Sequence, residues 1–187
     1  SANMGNTNAL ILLAIAYENG KGVEQNYKKA IEFYEHPTKF HNQHPFIIVG
    51  NSYDDGRGVK QNLGKNVDYY QKETTLDNSY GFINIGLLYE EGKGVDKNYS
   101  KAFEYYQKAS KSGKSYAFII IGKYYENGKV VNQNYTKAIE NYNQAANCGN
   151  SYAFIHLGLL YENGKGVVQN YTKAVEYYQK ALNLNNY

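Results

Sequence analysis

The sequence predicts an all-α solenoid built from five helix–turn–helix repeats. Three observations carry that prediction. The segment Tyr17–Tyr27, YENGKGVEQNY, returns from Tyr53, Tyr89, Tyr125 and Tyr161 at a constant spacing of 36 residues, without an insertion. A fixed period of that length marks stacked units that bury their apolar faces only against neighbours. Within each unit, apolar residues recur at helical spacing, and glycine and asparagine stand where helices must stop and start.

The third unit serves as the example. In Tyr80–Glu91, the residues Phe82, Ile85, Gly86 and Tyr89 fall at i, i+3, i+4 and i+7, one face of a helix. Gly92-Lys93-Gly94 ends that helix, because glycine reaches the left-handed conformation at little cost. Val95 turns back into the core, and Asn98 is placed to cap a second helix. Ala102, Tyr105, Tyr106 and Ala109 form the buried stripe of that helix, and Ser112-Gly113 closes it. Repeated along the chain, this gives ten helices in one array over 1–187, with units at about 5–40, 41–76, 77–112, 113–148 and 149–187.

Small residues keep fixed places. Gly50, Gly86, Gly122 and Gly158 share one site, filled by Ala14 in the first unit. A mid-helix glycine costs ~1 kcal/mol relative to alanine, so its recurrence points to close helix approach. Ala30, Ala102, Ala138 and Ala174 mark a matching site on the second helix, with Val67 read as the replacement in the second unit. The segment from His36 to Pro45 is the least regular. Pro37 should end the second helix of the first unit near Glu35, and Pro45 suits the first turn of the next helix. Its three histidines match no closed zinc site, and no cysteine or nearby acid completes four ligands.

Composition narrows the function. Charged residues make up 20% of the chain and the net charge is +3, with acids and bases interleaved in each unit. A nucleic-acid binder concentrates its Lys and Arg, so nucleic acid is not the expected partner. No apolar run has the ~18 residues of a membrane span. The single Cys148 excludes an intramolecular disulfide and fits a reducing, cytoplasmic setting. No phosphate loop, His-Glu-x-x-His, nucleophile elbow or Cys-x-x-Cys is present. The carboxylates are periodic, which fits ladders better than an acid–base pair. The reading is of a chain that is not an enzyme and carries no cofactor.

The pattern A-x-x-x-L/I-G-x-x-Y-E-x-G-K-G-V, followed by N-Y-x-K-A-x-E-Y-Y-x-K-A, resembles the Sel-one-like repeat, a relative of the tetratricopeptide repeat. The resemblance implies a right-handed α/α superhelical solenoid whose concave face, built mainly from first helices, holds partner proteins. It implies an adaptor or scaffold role in protein–protein interaction. Some secreted bacterial members staple each repeat with a disulfide, and this chain lacks those cysteines.

On that resemblance, four columns of the first helix face the groove. The first holds Asn8, His44, Tyr80, Tyr116 and Tyr152; the third holds Ile15, Asn51, Leu87, Lys123 and Leu159. The fourth is acidic: Glu18, Asp54, Glu90, Glu126 and Glu162. Between them run Ile11, Ile47, Ile83, Ile119 and Ile155, either an apolar floor or core between first helices. The acidic column either edges the groove, is solvated, or neutralises Lys21, Arg57, Lys93, Lys129 and Lys165 of the turns. The aromatic edge Tyr80, Tyr116 and Tyr152 is the favoured contact, because a ring gives much area for little rotamer entropy. The expected partner is another protein or peptide. Two alternatives stand beside it: an array that associates end to end, and a regulatory module of a larger enzyme.

Overall fold

The computed structural model describes the backbone of residues 2–35, 45–75 and 79–184. These residues form ten helices and no strand: α1 (Ala2–Asn19), α2 (Tyr27–Tyr34), α3 (Pro45–Asp55), α4 (Leu63–Thr75), α5 (Ser79–Glu91), α6 (Tyr99–Lys111), α7 (Ser115–Asn127), α8 (Tyr135–Asn147), α9 (Ser151–Asn163) and α10 (Tyr171–Leu184). Two compact units divide between Lys97 and Asn98, inside the third repeat. The first contains α1–α5 and the second α6–α10.

The turns inside the first, second, fourth and fifth repeats share a set of bonds, while Lys97 replaces the glutamine in the third. In the fourth repeat, Gly128 sits at φ 65 and caps α7, its N–H donating to the Tyr124 carbonyl. Gln133 then reaches back and donates from Nε2 to the Glu126 carbonyl at 2.8 Å. The backbone N–H of Asn134 donates to the Tyr125 carbonyl at 2.9 Å, and the Asn134 side chain accepts from the Lys137 N–H at 2.9 Å. Gln25, Gln61 and Gln169 repeat the glutamine bond. Asn26, Asn62, Asn98 and Asn170 repeat the cap. The Gln-Asn pair thus satisfies a carbonyl at the end of one helix and an orphan amide at the start of the next.

The second glycine of the turn answers to packing. A Cβ on Gly58 would lie 2.5 Å from the Tyr27 Cβ, where the turn rests on the preceding second helix. Gly94 rests in the same way on Leu63, and Gly166 on Tyr135. Val130 holds this place in the fourth repeat with φ 70, a left-handed conformation that a β-branched residue adopts only at a cost of ~1–2 kcal/mol.

The recurrent mid-helix glycine has a specific neighbour. A Cβ on Gly50 would meet the ring of Tyr70 at 2.7 Å, and one on Gly122 the ring of Tyr142 at 2.5 Å. Gly158 stands against Tyr178 likewise. The glycine therefore admits a tyrosine ring from the paired second helix. Tyr34, Tyr70 and Tyr142 are buried in this way, and Ala14 lies in the same core cluster as Tyr34.

The small site on the second helix corrects one register. Asn66, not Val67, stands 36 residues from Ala30 and Ala102. Val67 is the equivalent of Ile31 and is buried as core. Asn66 is 0% exposed, and neither its Oδ1 nor its Nδ2 finds a hydrogen-bond partner.

Helix α2 ends at Tyr34, with Glu35 as its C-cap, as the proline at 37 requires. It has eight residues where α6 and α8 have 13 each. Pro45 opens α3. His36 to His44, including Pro37, lie outside the described residues.

Candidate partner-binding face

The face of interest is carried by the first helices. In the second unit, α7 places Tyr116, Lys123 and Glu126 along one side, and α9 places Tyr152, Leu159 and Glu162 at the equivalent positions. Asn150 caps α9 by accepting from the Tyr152 N–H at 3.0 Å, and its Nδ2 donates to Ser115 Oγ at 3.1 Å. These bonds tie the first turns of α7 and α9, from which the two tyrosines project. Tyr116 is 51% exposed and Tyr152 67%. Lys123 and Leu159 are exposed as well, and Glu126 and Glu162 are half-buried.

In the first unit, Tyr80 of α5 is 47% exposed. Asn51 is exposed, and Leu87 and Glu90 are half-buried. The side chain of Asn8 and the whole of His44 lie outside the described residues.

The two neighbouring columns have structural roles. Ile11, Ile83 and Ile119 are buried and Ile155 is half-buried, so these four are core and not an open floor, while the side chain of Ile47 lies outside the described residues. Glu126 accepts a hydrogen bond from the Tyr142 hydroxyl at 2.7 Å. Glu18 accepts from Tyr34 at 3.0 Å, and Glu162 accepts from Tyr178. In the second repeat Asn51 accepts from Tyr70. The fourth column thus supplies acceptors for the hydroxyls of Tyr34, Tyr142 and Tyr178, and the third column supplies the one for Tyr70. Burial, and then the bond to Glu162, push the Tyr178 hydroxyl up to about 12. Burial raises Tyr142 still further, with Glu126 adding to it. A turn lysine meets the acidic column where Lys93 Nζ approaches Asp54 Oδ2 at 3.9 Å.

His156 lies on the same side of α9, one turn beyond Tyr152. The sequence reads it as a lone surface or satisfied residue. It is half-buried, with its ring stacked on that of Tyr142 at 4.7 Å and 9°. Burial lowers its pKa, and the positive charge of Lys123 lowers it further. The sequence signal was the break in its column, where Ile120 and Asn84 stand in other repeats.

Among the described residues, no group of three His, Cys, Asp or Glu side chains could hold a metal ion. No described helix is long and apolar enough to cross a membrane. The exposed Cys148 caps α8, and its Sγ donates weakly to the Gly113 carbonyl at 3.6 Å.

The family model for the Sel1 repeat matches residues 7–35, 48–72, 83–114, 119–150 and 152–186. This chain belongs to the Sel1 repeat family. Sel1 repeat proteins are in general non-enzymatic scaffolds for protein–protein interaction. Among solved structures, a Sel1 repeat protein from Oxalobacter formigenes is 27% identical, with a TM-score of 0.86 over 97% of this chain and 75% of that one. The c5321 protective antigen of uropathogenic Escherichia coli, described as having an SLR fold, is 29% identical with a TM-score of 0.85. The match covers 99% of this chain, which spans only 40% of the c5321 chain. The cysteine rich protein B of Helicobacter pylori is 30% identical over 70% of this chain and 94% of its own, with a TM-score of 0.52. The Sel1 repeats here hold one cysteine in all. No curated protein matches the chain at a significant level.

Proposed function

We propose that this Sel1 repeat chain is a non-catalytic scaffold that holds a peptide or helix of a partner protein against the exposed face of its first helices. The reading takes 1–187 as one array and that face as the concave groove expected of the family. The observation that carries it is the exposure of Tyr116 and Tyr152, 51% and 67%, at equivalent positions on successive first helices. Large rings held out to solvent at a fixed spacing suit helix-in-groove recognition, where aromatic anchors supply most of the binding energy. Lys123 and Leu159 extend the same face and would set which partner fits. The lone Cys148 suits a cytoplasmic setting.

The test begins with partners captured from the native source, compared between the wild type and the triple Tyr80/Tyr116/Tyr152→Ala variant. The affinity of a purified partner is then measured. Each tyrosine removed should weaken binding by ~1 kcal/mol or more, with helical circular dichroism unchanged. Equal affinity in the triple variant sinks the assignment.

A second reading, association between copies, rests on α10, where Tyr171, Val175 and Leu182 are exposed, although Phe103, the equivalent of Val175, is buried on α6. A concentration-independent monomer in light scattering removes it.

A further inference from the structure

One column of the fold is interrupted. On the second helices, Phe33, Tyr69, Tyr105 and Tyr177 share one position, and Asn141 holds it on α8. In three repeats the ring at this position stacks on the tyrosine that ends the preceding first helix. Tyr17 and Phe33 lie 5.7 Å apart at 15°, Tyr53 and Tyr69 5.6 Å apart at 10°, and Tyr161 and Tyr177 5.5 Å apart at 23°. Tyr125 is the equivalent first-helix residue in the fourth repeat; Phe103 meets its ring edge-on at 5.8 Å, and Asn141 offers it no ring to stack on. Asn141 instead turns its Nδ2 back to the Lys137 carbonyl at 2.8 Å. A cleft of about 570 Å³ opens at this place, lined by Ile121, Tyr125 and Asn141, with Glu104, Lys108 and Lys111 of α6 among the residues along its rim. That volume is within the range of small ligand sites.

We propose that this cleft is a second binding site, which takes an aromatic side chain flanked by acidic residues from a partner polypeptide. The incoming ring replaces the one that Asn141 lacks and stacks on Tyr125, as Tyr177 stacks on Tyr161. Such stacked pairs add about 0.5–1.5 kcal/mol beyond the area they bury. Lys108 and Lys111 outnumber Glu104 at the rim, which selects acidic flanks over basic ones. Lys108 is already oriented, its Nζ lying 4.9 Å from the centre of the Tyr105 ring. The site lies apart from Tyr116 and Tyr152, so it goes beyond the scaffold reading above and stands or falls independently of it.

The probe is the peptide acetyl-Glu-Tyr-Glu-amide, titrated into the isotope-labelled chain and followed by NMR. Saturable shifts are expected at the amides of Tyr125 and Asn141. Asn141→Tyr fills the cleft with the ring natural to this column and should weaken binding at least tenfold. Asn141→Ala keeps the cleft open and should bind no worse than wild type, which controls for damage to the fold. Acetyl-Glu-Ala-Glu-amide should bind at least tenfold more weakly, and acetyl-Lys-Tyr-Lys-amide at least fivefold. The site is refuted if the shifts at Tyr125 and Asn141 are absent, or if Asn141→Tyr or the alanine peptide binds equally well. Equal binding of the lysine peptide overturns the acidic selectivity.

Discussion

The hydroxyl of Tyr142, buried on α8, donates a 2.7 Å hydrogen bond to the Glu126 carboxylate at the end of α7. Gly122, one turn before Glu126, leaves room for the same ring. Three residues thus form one device: a glycine that admits the ring, a tyrosine that fills the space, and an acid that takes its hydroxyl.

Removing parts of that device should cost different amounts. Tyr142→Phe keeps the ring and loses one bond to a half-exposed carboxylate, a loss of about 1 kcal/mol. Gly122→Ala gains helix propensity but drives a methyl group into the ring, for a net loss of ~1–3 kcal/mol. Urea denaturation midpoints should therefore fall in the order wild type, Tyr142→Phe, Gly122→Ala. An unchanged midpoint for Tyr142→Phe would show that the bond adds nothing.

Asn66→Ala should make the protein more stable. Both polar atoms of Asn66 are buried without a partner, while alanine is the residue of this column in the other repeats. An unmet buried amide costs ~1–3 kcal/mol, and the alanine removes it along with some packing. A rise of ~2–4 °C in Tm is expected, since about 1 kcal/mol moves a protein of this size by that amount. A lower Tm contradicts the burial of an unpaired amide.

His156 makes stability fall with acid. Its pKa is lowered in the folded chain, so below about pH 6.5 the unfolded chain binds the proton first. Where the unfolded state holds more protons, unfolding free energy rises with pH and is lost as pH drops. Wild type should therefore lose more stability between pH 7.5 and 5.5 than His156→Asn, which carries the residue found at Asn84. Parallel losses in the two proteins would rule out this contribution.

The helices and their punctuation were legible because they depend on residues close in sequence. The caps by Asn26 to Asn170, the stop at Glu35 and the start at Pro45 all follow from local rules. The pairing of Glu126 with Tyr142 was not legible. It crosses a turn and needs the rotation of α8 on α7, which periodicity does not supply. The acidic column therefore read as an edge or a solvated row, although it accepts tyrosine hydroxyls. A shift of one residue hid Asn66 behind Val67. Nothing in the letters said that the backbone of Val130, which takes the place of a turn glycine, would stay left-handed. Tyr116 and Tyr152 are exposed, but what they touch is not written in the letters, and the cleft at Asn141 required the stacking distances of the other repeats.

The brevity of α2 bears on how the chain opens. Its eight residues are barely two turns, and a helix that short keeps few internal hydrogen bonds once its final turn frays. In native-state hydrogen exchange the amides of α2 should be the first among the second helices to lose protection, well before those of α8. Under a pulling force the same helix is the seam along which the repeats begin to unzip.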